Sequence, residues 1–256
     1  MNYHILFLIS TLLLAGCERF DWGISNMEKD ALFEAIDDGN IVNVNLLVNN
    51  NPLLVHTKNE FGLTVLMAAV SSSERNIQVI KLILEVGVDV NEKTPEGYTA
   101  LHMMVDVNGS SGTGELPYDI ARLLVNEGAD TEIKQHWGWT PLMRAALEGT
   151  DDEFIAILET GAQADVQYPN NSLPVFTRGM ELMQVVIGEP KKVEALINKG
   201  YVVGFKHIQE AESRISDVKE DANNGKFEKS WVDSYISDIN QTILLLKKAC
   251  LAKTCN

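Results

Sequence analysis

Three cysteines, five histidines and a few clustered carboxylates are the side chains of this 256-residue chain best suited to bond, coordinate or move protons. Cys250 and Cys255 follow the last apolar helical stripe with four residues between them. In an oxidising compartment, a bridge that pins the C-terminus is their simplest assignment. Metal binding is the weaker alternative, because no histidine or third thiol lies nearby, and a redox role is weaker still, because the spacing is not Cys-x-x-Cys. The histidines are far apart, and no carboxylate is spaced to make one of them a base. Gly-x-Ser-x-Gly, His-Glu-x-x-His and Gly-x-x-x-x-Gly-Lys are all missing from the sequence. Gly109-Ser-Ser-Gly-Thr-Gly114 reads as a linker between helices rather than a phosphate cradle. Asp151-Asp-Glu153 reads as acidic residues favoured by a helix N-terminus rather than a calcium site. The expectation is a non-enzyme with no metal and no cofactor.

The remaining cysteine, Cys17, ends an apolar run from Ile5 to Ala15 in Leu14-Ala15-Gly16-Cys17. That run of about eleven residues falls short of the ~20 that cross a bilayer as a helix. The four residues resemble the bacterial lipobox, which implies cleavage before Cys17 and acylation of that cysteine; no Lys or Arg precedes the run. An ordinary secretory signal with a chance cysteine is the alternative. In such lipoproteins Asp after the cysteine favours the inner membrane, so Glu18 implies the outer membrane, with the protein facing the periplasm. Residues 1–16 are then signal peptide and 17–26 a lipidated linker. About ten linker residues at ~3.4 Å each hold the folded part within roughly 35 Å of its anchor.

These chemical groups must be carried by something, and the sequence repeats itself in a way that defines the carrier. Gly62-Leu-Thr-Val-Leu-Met-Ala-Ala recurs with drift as Gly97-Tyr-Thr-Ala-Leu-His-Met-Met and Gly138-Trp-Thr-Pro-Leu-Met-Arg-Ala-Ala. The glycines suit hairpin tips with positive φ, and Thr64, Thr99 and Thr140 suit helix N-caps. Apolar segments of helical period follow, including Ile80/Ile83, Ile120/Leu124 and Ile155/Leu158, and Gly87, Gly128, Gly161 and Gly200 close them. The phrase and its period in the thirties resemble the ankyrin repeat. That resemblance covers residues 27–204 and implies an all-α solenoid of about five helix-pair units with hairpin tips. A first unit around Ala31–Gly39 lacks a preceding hairpin, so it reads as an N-terminal cap. The second and third units carry insertions at Ser71–Glu74 and Asp106–Pro117, between paired helices. Pro169–Arg178 makes the fifth unit irregular. His102 alone keeps the family's histidine position, which implies a structural tie from hairpin to helix.

Residues 205–256 show two amphipathic stripes, Ile208/Ala211/Ile215/Val218 and Phe227/Trp231/Tyr235/Ile239/Ile243/Leu246. They read as a C-terminal helical cap over the last repeat, with a dimerisation or partner helix as the alternative. That segment holds eight acidic and eight basic residues, so the net charge of −15 belongs to the repeats and their leader. Such a charge disfavours nucleic acid and fits either a basic partner or plain solubility.

Function in such a fold lies on the surface. In the ankyrin family the hairpin tips and first helices usually meet the partner. The resemblance implies candidate contacts at Phe61, Tyr98, Trp137, Trp139 and Tyr168, with Glu92, Glu96, Lys134 and His136 beside them. Joined to the lipobox, it extends to ankyrin-type lipoprotein immunity proteins of type VI secretion lipase effectors. The implied activity is capture and neutralisation of a phospholipase toxin. A periplasmic scaffold or chaperone for an envelope or oxidative-stress protein is the alternative.

Overall fold

The computed structural model describes residues 24–105, 116–172 and 174–253. Cys17, Cys255, the glycine-rich stretch 109–114 and the signal segment lie outside them. The described chain is helical, and its only extended pairings are isolated bridges at Lys58↔Thr64 and Gln167↔Glu181.

The helices come in stacked pairs: α1 Asn26–Asp37 with α2 Ile41–Asn50, α3 Val65–Ser71 with α4 Ile77–Glu85, and α5 Ala100–Met103 with α6 Leu116–Asn126. Then follow α7 Pro141–Glu148 with α8 Asp151–Glu159, and α9 Leu182–Val185 with α10 Pro190–Asn198. Single 3-10 turns occupy Pro52–His56 and Val175–Thr177. First helices pack on first helices and second on second, so one continuous core runs from Leu32 through Ile80, Ile120 and Ile157 to Leu196. Small residues make the close stacking possible: Ala69, Ala100, Ala145 and Ala146 are all buried on first helices.

The threonines start those helices as their types require. Thr64 Oγ1 accepts the Met67 N–H at 3.2 Å, and Thr140 Oγ1 accepts that of Met143 at 3.3 Å. In the third unit a histidine takes over. The Thr99 N–H donates to His102 Nδ1 at 3.2 Å, and His102 Nε2 lies 3.0 Å from the Trp139 carbonyl. That carbonyl needs a donor, so the ring is the neutral Nε2–H tautomer. Burial pushes its pKa down to about 4.

The C-terminal helices, α11 Phe205–Asn223 and α12 Lys229–Lys253, are more than a lid. α11 continues the inner row against α9, and α12 continues the outer row against α10, so they form a sixth, elongated pair. The start of α11 repeats the third unit's device, with the Gly204 N–H donating to His207 Nδ1 at 3.0 Å. Gly204-x-x-His207 therefore mirrors Thr99-x-x-His102, a likeness visible in the sequence and missed there.

Neighbouring units are joined by donors that reach back to the end of the previous first helix. Ser72 Oγ donates to the Asp37 carbonyl (3.0 Å) and Asn76 Nδ2 to that of Gly39 (2.8 Å). Further along, cations take this role. Arg144 donates to His102 O at 2.7 Å, and Arg214 to Gln184 O and Ile187 O at 2.8 and 3.2 Å. Lys192, 1% exposed, donates to the carbonyls of Ala145, Ala146 and Gly149 at 3.2, 3.3 and 2.8 Å. A helix end leaves such carbonyls without intrahelical partners and carries partial negative charge, so a buried ammonium there is satisfied on both counts.

The insertion at Ser71–Glu74 lies between α3 and α4 as expected, with Ser71, Ser73 and Glu74 exposed. Ser72 and the adjoining Arg75 are buried, and Arg75 reaches Glu153 on α8 at 3.3 Å. The second insertion lies largely outside the described residues.

Candidate protein-binding surface

Each hairpin tip turns on a glycine in the left-handed region, with φ of 76° at Gly62, 87° at Gly97 and 82° at Gly138. These glycines also face the next hairpin closely. A Cβ on Gly62 would lie 3.1 Å from Pro95, one on Gly97 3.1 Å from Gln135, and one on Gly138 2.6 Å from Pro169. The tips therefore form a continuous row, and the His136 N–H donates to the Glu96 carbonyl at 2.8 Å between the third and fourth.

A ladder of rings runs along that row. His102 meets Tyr98, Tyr98 meets Trp137, Trp137 meets Trp139, and Trp139 meets Tyr168, at centroid separations of 5.8, 6.4, 5.9 and 5.6 Å and steep angles. Such edge-to-face contacts orient rings as well as burying them. The Arg144 guanidinium lies over the Tyr98 ring, 4.9 Å from its centre.

Burial divides the expected contact residues. Phe61 is 71% exposed and Trp137 40%. Glu96, Lys134 and His136 are exposed, Tyr98 is half-buried, and Glu92 is half-buried and paired with Lys58 at 2.8 Å.

Trp139 and Tyr168 correct the sequence reading, because both are buried at 1% exposure and neither offers a surface. The irregular segment is the reason. Trp139 Nε1 donates to Ser172 Oγ at 2.6 Å, and Ser172 and Thr177 hydroxyls meet at 3.0 Å, so Pro169–Arg178 folds over the indole. The Tyr168 hydroxyl points inward to the Met143 carbonyl at 2.5 Å, and burial raises its pKa. Trp139 supports Trp137 and is itself braced by Tyr168. The segment instead exposes Phe176, at 67%, which no sequence period singles out.

Away from the tips, Glu181, Tyr201, Lys206 and His207 line a cleft of about 650 Å3 between the fifth and sixth pairs. Burial alone would raise the Glu181 pKa, but hydrogen bonds from Lys206, His207 and Tyr201 prevail and hold it at about 2. Tyr201, Lys206 and His207 all converge on Glu181, which precedes α9, and so tie that helix start to α11. Cys250 is buried on α12. Among the described residues no group of three or more metal-ligating side chains occurs, and no helix is long and apolar enough to cross a membrane.

An all-helical stack of paired helices with aromatic tips left at the surface defines a repeat scaffold of the kind that binds other proteins. A family model described as ankyrin repeats (3 copies) matches residues 4–94, 32–112 and 73–169, and the chain belongs to the ankyrin-repeat family. It is similar to a putative ankyrin repeat protein of Rickettsia felis, 36% identical over 24% of this chain and 26% of that one. It is also similar to human protein phosphatase 1 regulatory subunit 27, 30% identical over 44% of this chain and 67% of that one. A rice potassium channel, AKT1, is 34% identical over 36% of this chain, which spans only 9% of the channel's length.

Proposed function

We propose that this protein is a lipid-anchored binding protein of the bacterial outer membrane, facing the periplasm. In this reading it captures a delivered phospholipase and neutralises it by occluding its active or membrane-docking surface. The observation that carries capture is Trp137, an exposed indole fixed between Tyr98 and Trp139. A fixed aromatic anchor loses little freedom on binding, which favours the slow release a stoichiometric inhibitor needs. The lipobox resemblance at Cys17 supports the anchor, and a Cys250–Cys255 bridge suits that compartment.

The test is a pull-down with the domain from residue 24 onward, from an envelope extract of cells that also express the neighbouring open reading frames. Recovery of a lipase at one to one, with its activity suppressed, supports the immunity reading. Recovery of a resident envelope protein that stays active sinks it. The second outcome would favour a scaffold, the reading supported by similarity to a protein named as a phosphatase regulatory subunit.

A further inference from the structure

Two exposed tip aromatics lie on hairpins with a carboxylate that enters no ion pair among the described residues. Glu60 precedes Phe61 on the second hairpin, and both side chains are exposed. Glu96, on the third hairpin, is tied through its own carbonyl to the His136 N–H, one residue from Trp137. Neither Glu60 nor Glu96 enters an ion pair among the described residues, whereas Glu92 between them on the row is paired with Lys58. The wider field has the same sign. Over the tip segments 57–63, 91–98, 130–138 and 165–172 the chain carries six carboxylates and three lysines. Asp130 accepts a turn hydrogen bond from the Glu132 N–H, Glu132 accepts one from the Gln163 N–H, and Asp165 lines the cleft with Tyr201, which leaves Glu60 and Glu96 as the free anions on the tips that carry exposed rings.

An indole face beside an unpaired carboxylate attracts a cation twice, through the ring quadrupole and through direct charge. Two such pairs along one rigid row set a spacing, so a chain with several cations fits better than a single ion. We infer that the hairpin row docks a basic segment of its protein partner, with arginine or lysine side chains over Trp137 beside Glu96 and over Phe61 beside Glu60. This rests on the reading of the row as the partner surface and adds to it the chemistry of what binds. Lys93, Lys134 and His136 are also exposed on these tips. They are interspersed with the carboxylates and would repel a badly registered basic segment, which gives the row selectivity as well as attraction.

The probe is a fluorescein-labelled octapeptide of alternating arginine and alanine, with its glutamate counterpart as control, titrated into the domain from residue 24 onward. The arginine peptide is expected to bind and the glutamate peptide not. Trp137→Ala and Glu96→Gln should each weaken binding about three- to tenfold, and Lys134→Gln should strengthen it. Asp30→Asn with Glu34→Gln, exposed on α1 away from the tips, should change it less than twofold. Equal weakening by the α1 pair would mean diffuse attraction and overturn the inference, as would unchanged binding by Trp137→Ala. Phosphocholine competing as well as the peptide would assign a lipid headgroup instead and overturn it too. If a partner recovered by pull-down needs Trp137 but neither Glu60 nor Glu96, and binds equally at low and high salt, the tip surface stands and its basic occupant falls.

Discussion

His102 is a residue whose job can be read from its two nitrogens, one accepting from the Thr99 N–H and the other donating to the Trp139 carbonyl. Its folded pKa of about 4 lies below the ordinary 6.5, so the fold holds the neutral form. The unfolded chain then binds more protons between these values, and stability falls as pH drops from 6.5 toward 4. The loss is on the order of 3 kcal/mol. Denaturant melts across that window should show a smaller decline for His102→Gln, which is less stable at neutral pH but has no imidazole to charge. Trp137 behaves in the opposite way, as surface. Trp137→Ala should leave the circular dichroism unchanged and weaken partner binding by ~2 kcal/mol or more in a calorimetric titration. Tyr168→Phe should cost about 1 kcal/mol of stability without touching affinity. His102 was legible because its motif is local. Tyr168 was not, because its burial depends on how Pro169–Arg178 folds, and ten irregular residues carry no period.

Elements were legible in proportion to their regularity. Gly62, Gly97 and Gly138 announce the tips, and the threonines two residues later announce α3, α5 and α7. The joints between units were not, since Arg144, Lys192 and Arg214 look like surface cations until the helix end they reach is known. Lys192 shows the cost of that blindness, because a buried lysine is ordinarily a fault. Here its ammonium caps α7 through three carbonyls and pairs with Glu189 at 2.6 Å. Lys192→Met keeps the stem and removes the cap. Thermal unfolding should show a loss of about 2–4 kcal/mol. A loss under half a kcal/mol would mean that water replaces the ammonium.

At the scale of the whole molecule, α11 and α12 continue the core, so a chain ending at residue 204 would expose Leu182, Leu196 and their neighbours. It should aggregate or lose most of its cooperative transition, as a solenoid without its terminal cover does. The anchor is tested separately: Cys17→Ala should move the full-length protein from the membrane to the soluble fraction, and persistence in the membrane fraction would remove the lipobox reading. The sixth pair was anticipated as a cover, with a dimerisation or partner helix as the alternative, and not as a repeat, because its helices are too long to resemble one. The reach-back donors give the stack a direction in time as well as in space. A ribosome makes these first helices before it makes the side chains that close them, so α7 leaves with its end open until Lys192 follows some forty residues later. The ends of α1, α5, α7 and α9 are each provisional until the following unit arrives. The last to be secured is α9, which waits for Arg214, so folding is completed at the C-terminal end of the stack.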